Sequence, residues 1–435
     1  MELRDFIVTP IVIVMVYGIA YFVRSRVTDE VNRKYFIPAL TVRIIGALAL
    51  GILYQFYYDG GDTFNFHTGG SRHVWEAFMD SPFKGVRLLF TDGSQTGIYE
   101  YSSRIEFFKD PPTYFVIRIA AFFDLFTFSS YSATAVLFSV TSFIGSWMMF
   151  TTFYKRYPNL ARWLAVTLLY IPSVVFWGSG LLKDTITLAC LGAATFGFDK
   201  IFLQKKITPG SVLILTLSLF VIFNVKKFIL QAYIPSVIIW ILAYQLRKVK
   251  SVAVKTIVFP VIVIIMIASA YYSVVKVGEG DTKYSVNQLV KTAQITAYDI
   301  RFITGKNAGS GYTLGELGED WQDLVKLAPG AINVSLFRPY LWEVKNPLML
   351  MSALEGLILF LFTLYVIFKK KLAILPALKN PDIMFMLAFS IIFAFAVGVS
   401  TFNFGTLSRY KIPILPFYST AMVLLLNFKS DLRLE

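Results

Sequence analysis

Residues 6–23 read FIVTPIVIVMVYGIAYFV, and none of them is charged. A helix needs about 20 apolar residues to cross the hydrocarbon core of a bilayer. Comparable apolar runs recur along the whole chain, separated by short stretches that carry charges. This pattern predicts a polytopic helical membrane protein. Because charges flank the run at 6–23 and no small-residue cleavage pattern follows it, we expect a retained anchor.

The composition also favours a membrane protein. Of the 435 residues, 56% are hydrophobic and 16% are charged, whereas a soluble domain carries about 25% charged residues. The formal net charge is +14, but the basic residues follow membrane topology, so we expect no nucleic-acid partner. One cysteine and two histidines, six residues apart in a loop, support neither a disulfide framework nor a zinc site.

The predicted fold is all-α, a transmembrane helical bundle of about 11 to 12 membrane segments. The clear apolar runs are 6–23, 36–57, 131–153, 160–177, 185–203, 211–223, 228–246, 253–275, 347–368, 383–401 and 411–427. A shorter run covers 113–128.

The distribution of charge predicts the orientation of the bundle. Five short connectors hold 18 Lys and Arg residues and only three acids. They are 24–34, 154–162, 199–206, 247–255 and 369–379. By the positive-inside rule they face the cytoplasm, which places the N-terminus outside and the C-terminus inside.

Two long connectors, 58–112 and 276–346, are then external. The second is too long for a structureless loop, so we expect surface helices at 285–302 and 320–327. Residue 112 is predicted outside and residue 154 inside, yet two apolar runs lie between them. We therefore expect the run at 113–128 to enter the membrane without crossing it, which requires protein around its backbone.

Charged groups retained at one face of a membrane bundle are candidates for function. The predicted external face carries Asp59 and Asp62 in a glycine-containing turn, and Lys183 beside Asp184. The further candidates on this side are Glu106, Lys109, Lys226, Lys227, Arg338 and Arg409. The bases oppose the positive-inside rule and indicate an anionic target such as phosphate. The alternatives are ordinary turn chemistry for the aspartates and contact of the bases with lipid headgroups.

No nucleotide-binding motif is present. A reaction at the external face then needs an energy-rich donor that is delivered there, and a donor linked to a lipid phosphate meets this requirement.

The order of these motifs resembles the GT-C superfamily of membrane glycosyltransferases, most closely the branch of protein O-mannosyltransferases and lipid A aminoarabinose transferases. The resemblance covers about residues 36–203. The matching features are an acid after a helix (Asp62), a Pro-Pro-aromatic segment (110–115), basic residues that end a helix (Lys155-Arg156), a Pro-Ser pair (Pro172-Ser173) and a second external acid (Asp184). Two features depart from the family: an extra helix precedes its first one, and the second external acid stands alone.

The resemblance implies an inverting glycosyltransferase that uses a polyprenyl-phosphate sugar donor and a glycan, lipid or protein acceptor. Asp62 would be the general base, and Asp184 would orient the acceptor or a basic residue. Lys109, Lys226, Lys227, Arg338 and Arg409 would neutralise the leaving phosphate. No metal and no cofactor are expected.

The expected location is the bacterial inner membrane, with lipids as surrounding partners. The predicted parts are an anchor with its connector (1–35), a GT-C-like catalytic module (36–203) and a C-terminal transmembrane module (204–435).

Two other functions remain open at this point. A polymerase or ligase of surface polysaccharide would depend on Arg338 and Arg409, with Asp62 dispensable. A transporter or secretion-complex subunit would instead carry polar groups and broken helices near the middle of the membrane.

Overall fold

The computed structural model describes residues 2–91, 94, 96–248, 311, 312, 314, 321–401 and 403–428. The predicted span 253–275 and the predicted surface helix 285–302 lie outside these residues. Within them the chain is helical, with no β-strand and one isolated bridge between Gly311 and Asn403. The prediction of an all-α fold is therefore confirmed for this part of the chain.

The helices of the first half are α1 (Leu3–Val27), α2 (Arg33–Phe56), α3 (Asp62–Phe66), α4 (Arg72–Asp80), α5 (Pro82–Phe90), α6 (Tyr99–Ser102), α7 (Pro111–Thr127), α8 (Tyr131–Tyr154), α9 (Ala161–Leu169), α10 (Pro172–Trp177) and α11 (Lys183–Phe198). Those that follow are α12 (Pro209–Lys248), α13 (Trp321–Phe337), α14 (Pro347–Lys370), α15 (Ile374–Ala377), α16 (Pro381–Ser400), α17 (Phe404–Tyr410) and α18 (Ile414–Asn427). Two π-helical turns cover His67–Ser71 and Asp199–Leu203.

The chain divides into two compact units. Unit 1 comprises residues 1–197 and 212–226, and unit 2 comprises residues 198–211 and 227–435. One of the boundaries between them falls within α12 after Lys226, whose φ of −146° and ψ of 76° are not helical. The division into 1–35, 36–203 and 204–435 concerns roles as well as packing and stays a prediction.

Side-chain contacts define two opposite ends of unit 1. At the first end, Asp5 of α1 accepts hydrogen bonds from the Ser130 hydroxyl at 2.8 Å and from the Ser132 N–H at 3.2 Å. At the second end, the Tyr154 hydroxyl donates to Asp29 at 3.0 Å. Helices α1 and α8 are therefore parallel, and α2 runs back between their ends. This matches the predicted directions of the first three spans.

Helix α7 begins and ends at the first end of unit 1. The chain leaves α2 at this end, and α8 starts there. The segment that connects them, residues 57–130, therefore starts and finishes at the first end. Asp124, near the last turn of α7, accepts a hydrogen bond from Ser71 in the segment that follows α2. The prediction that the run at 113–128 enters a membrane without crossing it stays a prediction.

Close backbone contact holds α8 against α11. A Cβ atom at Gly145 would lie 2.0 Å from the Ala189 carbonyl oxygen, and one at Gly192 would lie 2.2 Å from the Gly145 carbonyl oxygen. Only glycine allows such an approach at these two positions. In membrane bundles, small residues are enriched where helix backbones approach each other closely.

An aromatic core organises unit 2. The Trp240 ring stacks on Phe385 with centroids 4.4 Å apart, and its indole N–H donates to Asp382 at 2.7 Å. Tyr233 and Phe417 pack edge-on against the same group of rings. Helix α16 packs against α13 and α18, and α14 packs against both of these helices.

Seven helices among the described residues are long and apolar enough to cross a membrane. They begin at Leu3, Arg33, Tyr131, Lys183, Pro209, Pro347 and Pro381. Several apolar helices of this length indicate an integral membrane protein. Four predicted spans are not found as separate long helices among the described residues.

The predicted span 160–177 is two short helices, because Pro172 begins α10 and the chain breaks after α9. The runs 211–223 and 228–246 both lie in α12, as two helical stretches that meet in a kink at Lys226, between the two predicted runs. The run 411–427 begins its helix only at Ile414 and is 14 residues long.

The predicted surface helix 320–327 is part of a longer helix, α13. The apolar residues that follow it continue the helix through Pro329 to Phe337. Ala331 and Val334 are fully buried, and a Cβ at Gly398 of α16 would lie 2.2 Å from the Ala331 carbonyl oxygen. The helix is therefore longer than predicted, and residues 331–337, which lie beyond the predicted bounds, are part of the core of unit 2.

The orientation of unit 1 can be tested by cysteine labelling in a Cys190→Ser background. Ser103 lies in the segment at the first end, and Asn159 lies in the connector after α8 at the second end; both are exposed. We expect an impermeant maleimide to label Ser103→Cys only from outside and Asn159→Cys only from inside. The reverse pattern would invert the topology that the basic connectors predict.

Candidate functional site

Four separate segments bring charged residues together at the first end of unit 1. They are the turn after α2, the segment before α7, the start of α11 and the end of the first part of α12. In a bundle, helix ends that lie on the same side come close together even when they are distant in sequence. The site residues predicted in unit 1 all lie in or beside these segments.

The turn after α2 places Asp59 and Asp62 differently. Asp59, Gly60 and Gly61 have φ values of 54°, 121° and 112°, and this run of left-handed conformations reverses the chain. Gly61 precedes α3, and Asp62 is its first residue. Asp59 is exposed, whereas Asp62 is half-buried. The two acids of this turn therefore differ in exposure.

Two acid–lysine pairs form the centre of the site. Lys226 contacts Asp184, and their side chains are 10% and 2% exposed. The ammonium nitrogen of Lys183 lies 3.6 Å from Asp110. Asp62 and Lys226 are also close enough to act electrostatically on Lys183. Of the predicted residues, the structure thus brings together Asp62, Lys183, Asp184 and Lys226, and it adds Asp110.

Glu106 and Lys109 lie beside this centre, and both residues are exposed. Glu106 accepts a hydrogen bond from the Asn65 side chain at 3.3 Å, and its N–H donates to the Gly69 carbonyl at 3.1 Å. These two hydrogen bonds attach Glu106 to the segment that begins with Asp62. Lys109 precedes Asp110, and no described residue forms a hydrogen bond or an ion pair with it. Its charge is available to a ligand.

The other three predicted residues, Lys227, Arg338 and Arg409, belong to unit 2. Lys227 begins the second part of α12, and Arg409 lies in the last turn of α17. Arg338 forms an ion pair with Glu343. Its guanidinium also lies within 6 Å of three ring centroids, those of Tyr312, Tyr340 and Phe404.

The Arg338–Glu343 ion pair stabilises the turn at residues 338–343. Burial opposes ionisation of Glu343, but the Arg338 guanidinium and the Tyr340 N–H hold the pKa of this carboxyl below its usual value. The Glu343 hydrogen bond raises the pKa of Arg338. In the same unit, the fully buried Lys411 donates to the Arg338 carbonyl at 3.2 Å. Sequence reasoning missed Lys411, because it stands at the edge of an apolar run.

A second group that sequence reasoning missed is a buried polar network around Asp124 of α7. The Ser71 and Thr134 hydroxyls each donate to this carboxylate at 2.6 Å. His67 Nε2 lies 3.4 Å from it, and His67 and Asp124 are both fully buried. Neither ring nitrogen of His67 has a well-aligned hydrogen bond among the described residues. The network fastens α7 to the π-helical turn that follows α3, and π-helical turns are frequent at functional sites.

A third missed residue is Arg43, in the middle of α2. It is fully buried and donates to the Val174 and Gly178 carbonyls at 2.9 and 3.0 Å. It also donates to the Ser142 and Ser146 hydroxyls at 3.1 and 3.0 Å. Arg43 therefore holds the end of α10 against α2 and α8. This contact fixes the turn that leads to Lys183 and Asp184.

The arrangement offers acid–base groups beside ammonium groups at one end of a helical bundle. No group of three or more His, Cys, Asp or Glu side chains in the described part of the chain could hold a metal ion. A half-buried carboxylate can accept a proton, and an ammonium group can bind an anionic leaving group. No family model, no curated protein and no solved structure matches the chain.

Proposed function

We propose that the protein is a membrane glycosyltransferase of the GT-C type, which transfers a sugar from a polyprenyl-phosphate donor at the external face. The observation that supports it is the position of Asp62. This half-buried acid lies at the same end of unit 1 as Lys183, Asp110 and Lys226. A base and cations at one face of a membrane bundle are what transfer from a lipid phosphate requires.

The proposed topology has 11 crossings and one incomplete segment, α7. Six of the crossings are in unit 1, where α9 and α10 together make one of them. The first end of unit 1 faces the periplasm of a bacterial inner membrane. The acceptor is a glycan, a lipid or a protein of the cell envelope.

The reaction is an inverting displacement at the anomeric carbon. Asp62 accepts the proton of the acceptor hydroxyl while its oxygen bonds to the anomeric carbon. The bond between this carbon and the phosphate oxygen breaks, and the lipid phosphate leaves.

The lysines have different roles in this proposal. Asp184 holds Lys226, and Asp110 lies beside Lys183, so these two cations are positioned before the donor binds. Lys109 has no such partner among the described residues, and it therefore makes the direct contact with the donor phosphate. An ammonium group binds phosphate as a point charge.

Binding of the donor lipid can be tested without knowing the sugar. We expect polyprenyl phosphate to raise the unfolding temperature of the purified protein, because a ligand that binds the folded state stabilises it. Polyprenol, which lacks the phosphate, should not. Lys109→Gln should weaken the effect by about fivefold in concentration, which corresponds to about 1 kcal/mol.

The matched control is Lys155→Gln, since Lys155 is an exposed lysine at the second end of unit 1. This variant should respond to polyprenyl phosphate as the wild type does. Equal stabilisation by polyprenol and polyprenyl phosphate would contradict the proposal, and so would an equal loss in both variants.

A further inference from the structure

Helix α5 presents an apolar face to its surroundings. Phe83, Val86 and Phe90 are 74%, 47% and 81% exposed. Their spacing of three and four residues places them on one side of the helix. The opposite side is buried: Leu88 is fully enclosed, and a Cβ at Gly85 would lie 2.2 Å from the Phe78 ring. The exposed face is therefore the outer surface of a helix whose other face is packed.

A cation lies on this same apolar face. Arg87 lies four residues after Phe83 and three residues before Phe90, which places it on their side of the helix, and it is exposed. No described residue gives it a hydrogen bond or an ion pair. Its neighbour on the helix, Lys84, differs, because it lies 2.5 Å from Asp80. Asp80 binds Lys84 and the Tyr101 hydroxyl, and both hold the pKa of this carboxyl below its usual value. Arg87 is thus the unpaired cation of α5.

A groove of about 460 Å³ runs beside these residues. Phe83, Val86 and Phe90 form its apolar side, and Arg87, Thr91 and Ser94 form its polar side. One apolar wall with a cation at its edge matches a molecule with a hydrocarbon chain and a phosphate.

Neighbouring contacts fix α5 at the first end of unit 1. The Tyr114 hydroxyl of α7 donates to the Leu88 carbonyl at 2.8 Å. Arg118 of α7 donates to the Thr91 carbonyl. Since α7 begins and ends at this end, α5 lies where the ends of the apolar helices meet the surface of the membrane. The exposed face is then within reach of lipid.

We propose that α5 lies in the interface of the external leaflet and that its groove binds an anionic phospholipid, with the phosphate on Arg87. Phe83, Val86 and Phe90 enter the boundary between headgroups and acyl chains. Amphipathic helices with basic and aromatic residues bind membranes in this way, with the apolar face about 5 to 10 Å deep. This inference depends on the placement of the chain in a membrane and not on sugar transfer.

The insertion can be measured with a fluorophore at position 90. Phe90→Cys in the Cys190→Ser background is labelled with bimane and reconstituted in nanodiscs of phosphatidylcholine and phosphatidylglycerol. Lipids with a nitroxide near the headgroup should quench the label more than an aqueous nitroxide does. The same label at Ser103, an exposed polar position of this segment, should show the opposite order. Quenching of both labels only from water would overturn the proposal.

The role of Arg87 is tested by comparing two charge-removing variants. In the labelled protein, quenching by nitroxide-bearing phosphatidylglycerol should exceed quenching by the matching phosphatidylcholine. Arg87→Gln should reduce this preference about fivefold, since one basic residue near an anionic surface contributes that much. Lys84→Gln removes a charge that is already paired and should change it by less than about twofold.

Two further results would contradict the inference. An equal loss of preference in Arg87→Gln and Lys84→Gln would show a diffuse effect of charge without a site at Arg87. Efficient disulfide formation between two copies through Phe90→Cys would assign the exposed face to a second copy of the chain. Arg87→Gln and Lys84→Gln should both unfold at the wild-type temperature, because neither Arg87 nor Lys84 is buried.

Discussion

Asp62→Asn should abolish sugar transfer while the protein folds normally. Asparagine keeps the size of the side chain and one acceptor oxygen, but it cannot take the proton from the acceptor hydroxyl. Loss of a general base lowers the rate by about 10² to 10⁴. The measurement is transfer from a radiolabelled polyprenyl-phosphate sugar, with wild type and variant at equal amounts in proteoliposomes.

Asp59→Asn is the internal control for this experiment. Asp59 lies three residues earlier in the same turn, but it is exposed, whereas Asp62 is half-buried. Both substitutions remove one negative charge from the same surface. If the effect of Asp62 arises from general electrostatics, the two variants should lose similar activity. If Asp62 is the base, Asp59→Asn should stay within about threefold of the wild type, since a distant exposed charge is screened.

One outcome would replace the proposed mechanism. If Asp62→Asn retains transfer while Arg338→Ala or Arg409→Ala eliminates it, the arginine-dependent polymerase function is favoured. The pairing of Arg338 with Glu343 affects how this result is interpreted. Arg338→Ala also leaves Glu343 without its partner, so Glu343→Gln should accompany it. Loss of activity in both Arg338→Ala and Glu343→Gln would indicate that the turn that these two residues stabilise, and not the charge of Arg338, is required.

The location of the site residues of unit 1 at one end could be predicted because it depends on topology. Once basic connectors are assigned to one face, the ends of the apolar runs on the other face must share a surface. Asp62, Lys183, Asp184 and Lys226 all lie at such ends. Their pairing could not be predicted in the same way. Asp184 contacts Lys226, which is 42 positions away, and the sequence contains no local signal for this choice.

Buried polar residues inside apolar helices were harder to identify. Arg43 lies within an apolar run. Two of its four acceptors, the Val174 and Gly178 carbonyls, come from a helix end more than 130 positions away. The break after α9 had a clear local signal in Pro172, which cannot continue a helix from the preceding turn. The two observations are separate, because the break precedes α10, whereas Arg43 binds carbonyls at the end of α10. Sequence can indicate the break, but only the packing of α2 against α10 shows where the Arg43 guanidinium is satisfied.

Asp124→Ala should destabilise the protein by about 2 to 4 kcal/mol, because two buried hydroxyls lose the carboxylate that accepts their hydrogen bonds. The Ser71 and Thr134 hydroxyls would lose their acceptor, and His67 would lose the carboxylate 3.4 Å from its ring. The measurement is unfolding in mixed detergent micelles with increasing dodecyl sulfate. Asp124→Asn keeps an acceptor oxygen and should cost less than the alanine variant.

The chain offers a matched exposed pair as the control for this prediction. His73 and Glu76 lie 3.0 Å apart on α4, with side chains 20% and 37% exposed. Glu76→Ala should cost less than about 1 kcal/mol, since solvent weakens an exposed ion pair. A loss below 1 kcal/mol in Asp124→Ala as well would contradict the importance of the buried network. The contrast follows from burial, because both substitutions remove a carboxylate beside a histidine and only Asp124 leaves its partners without access to water.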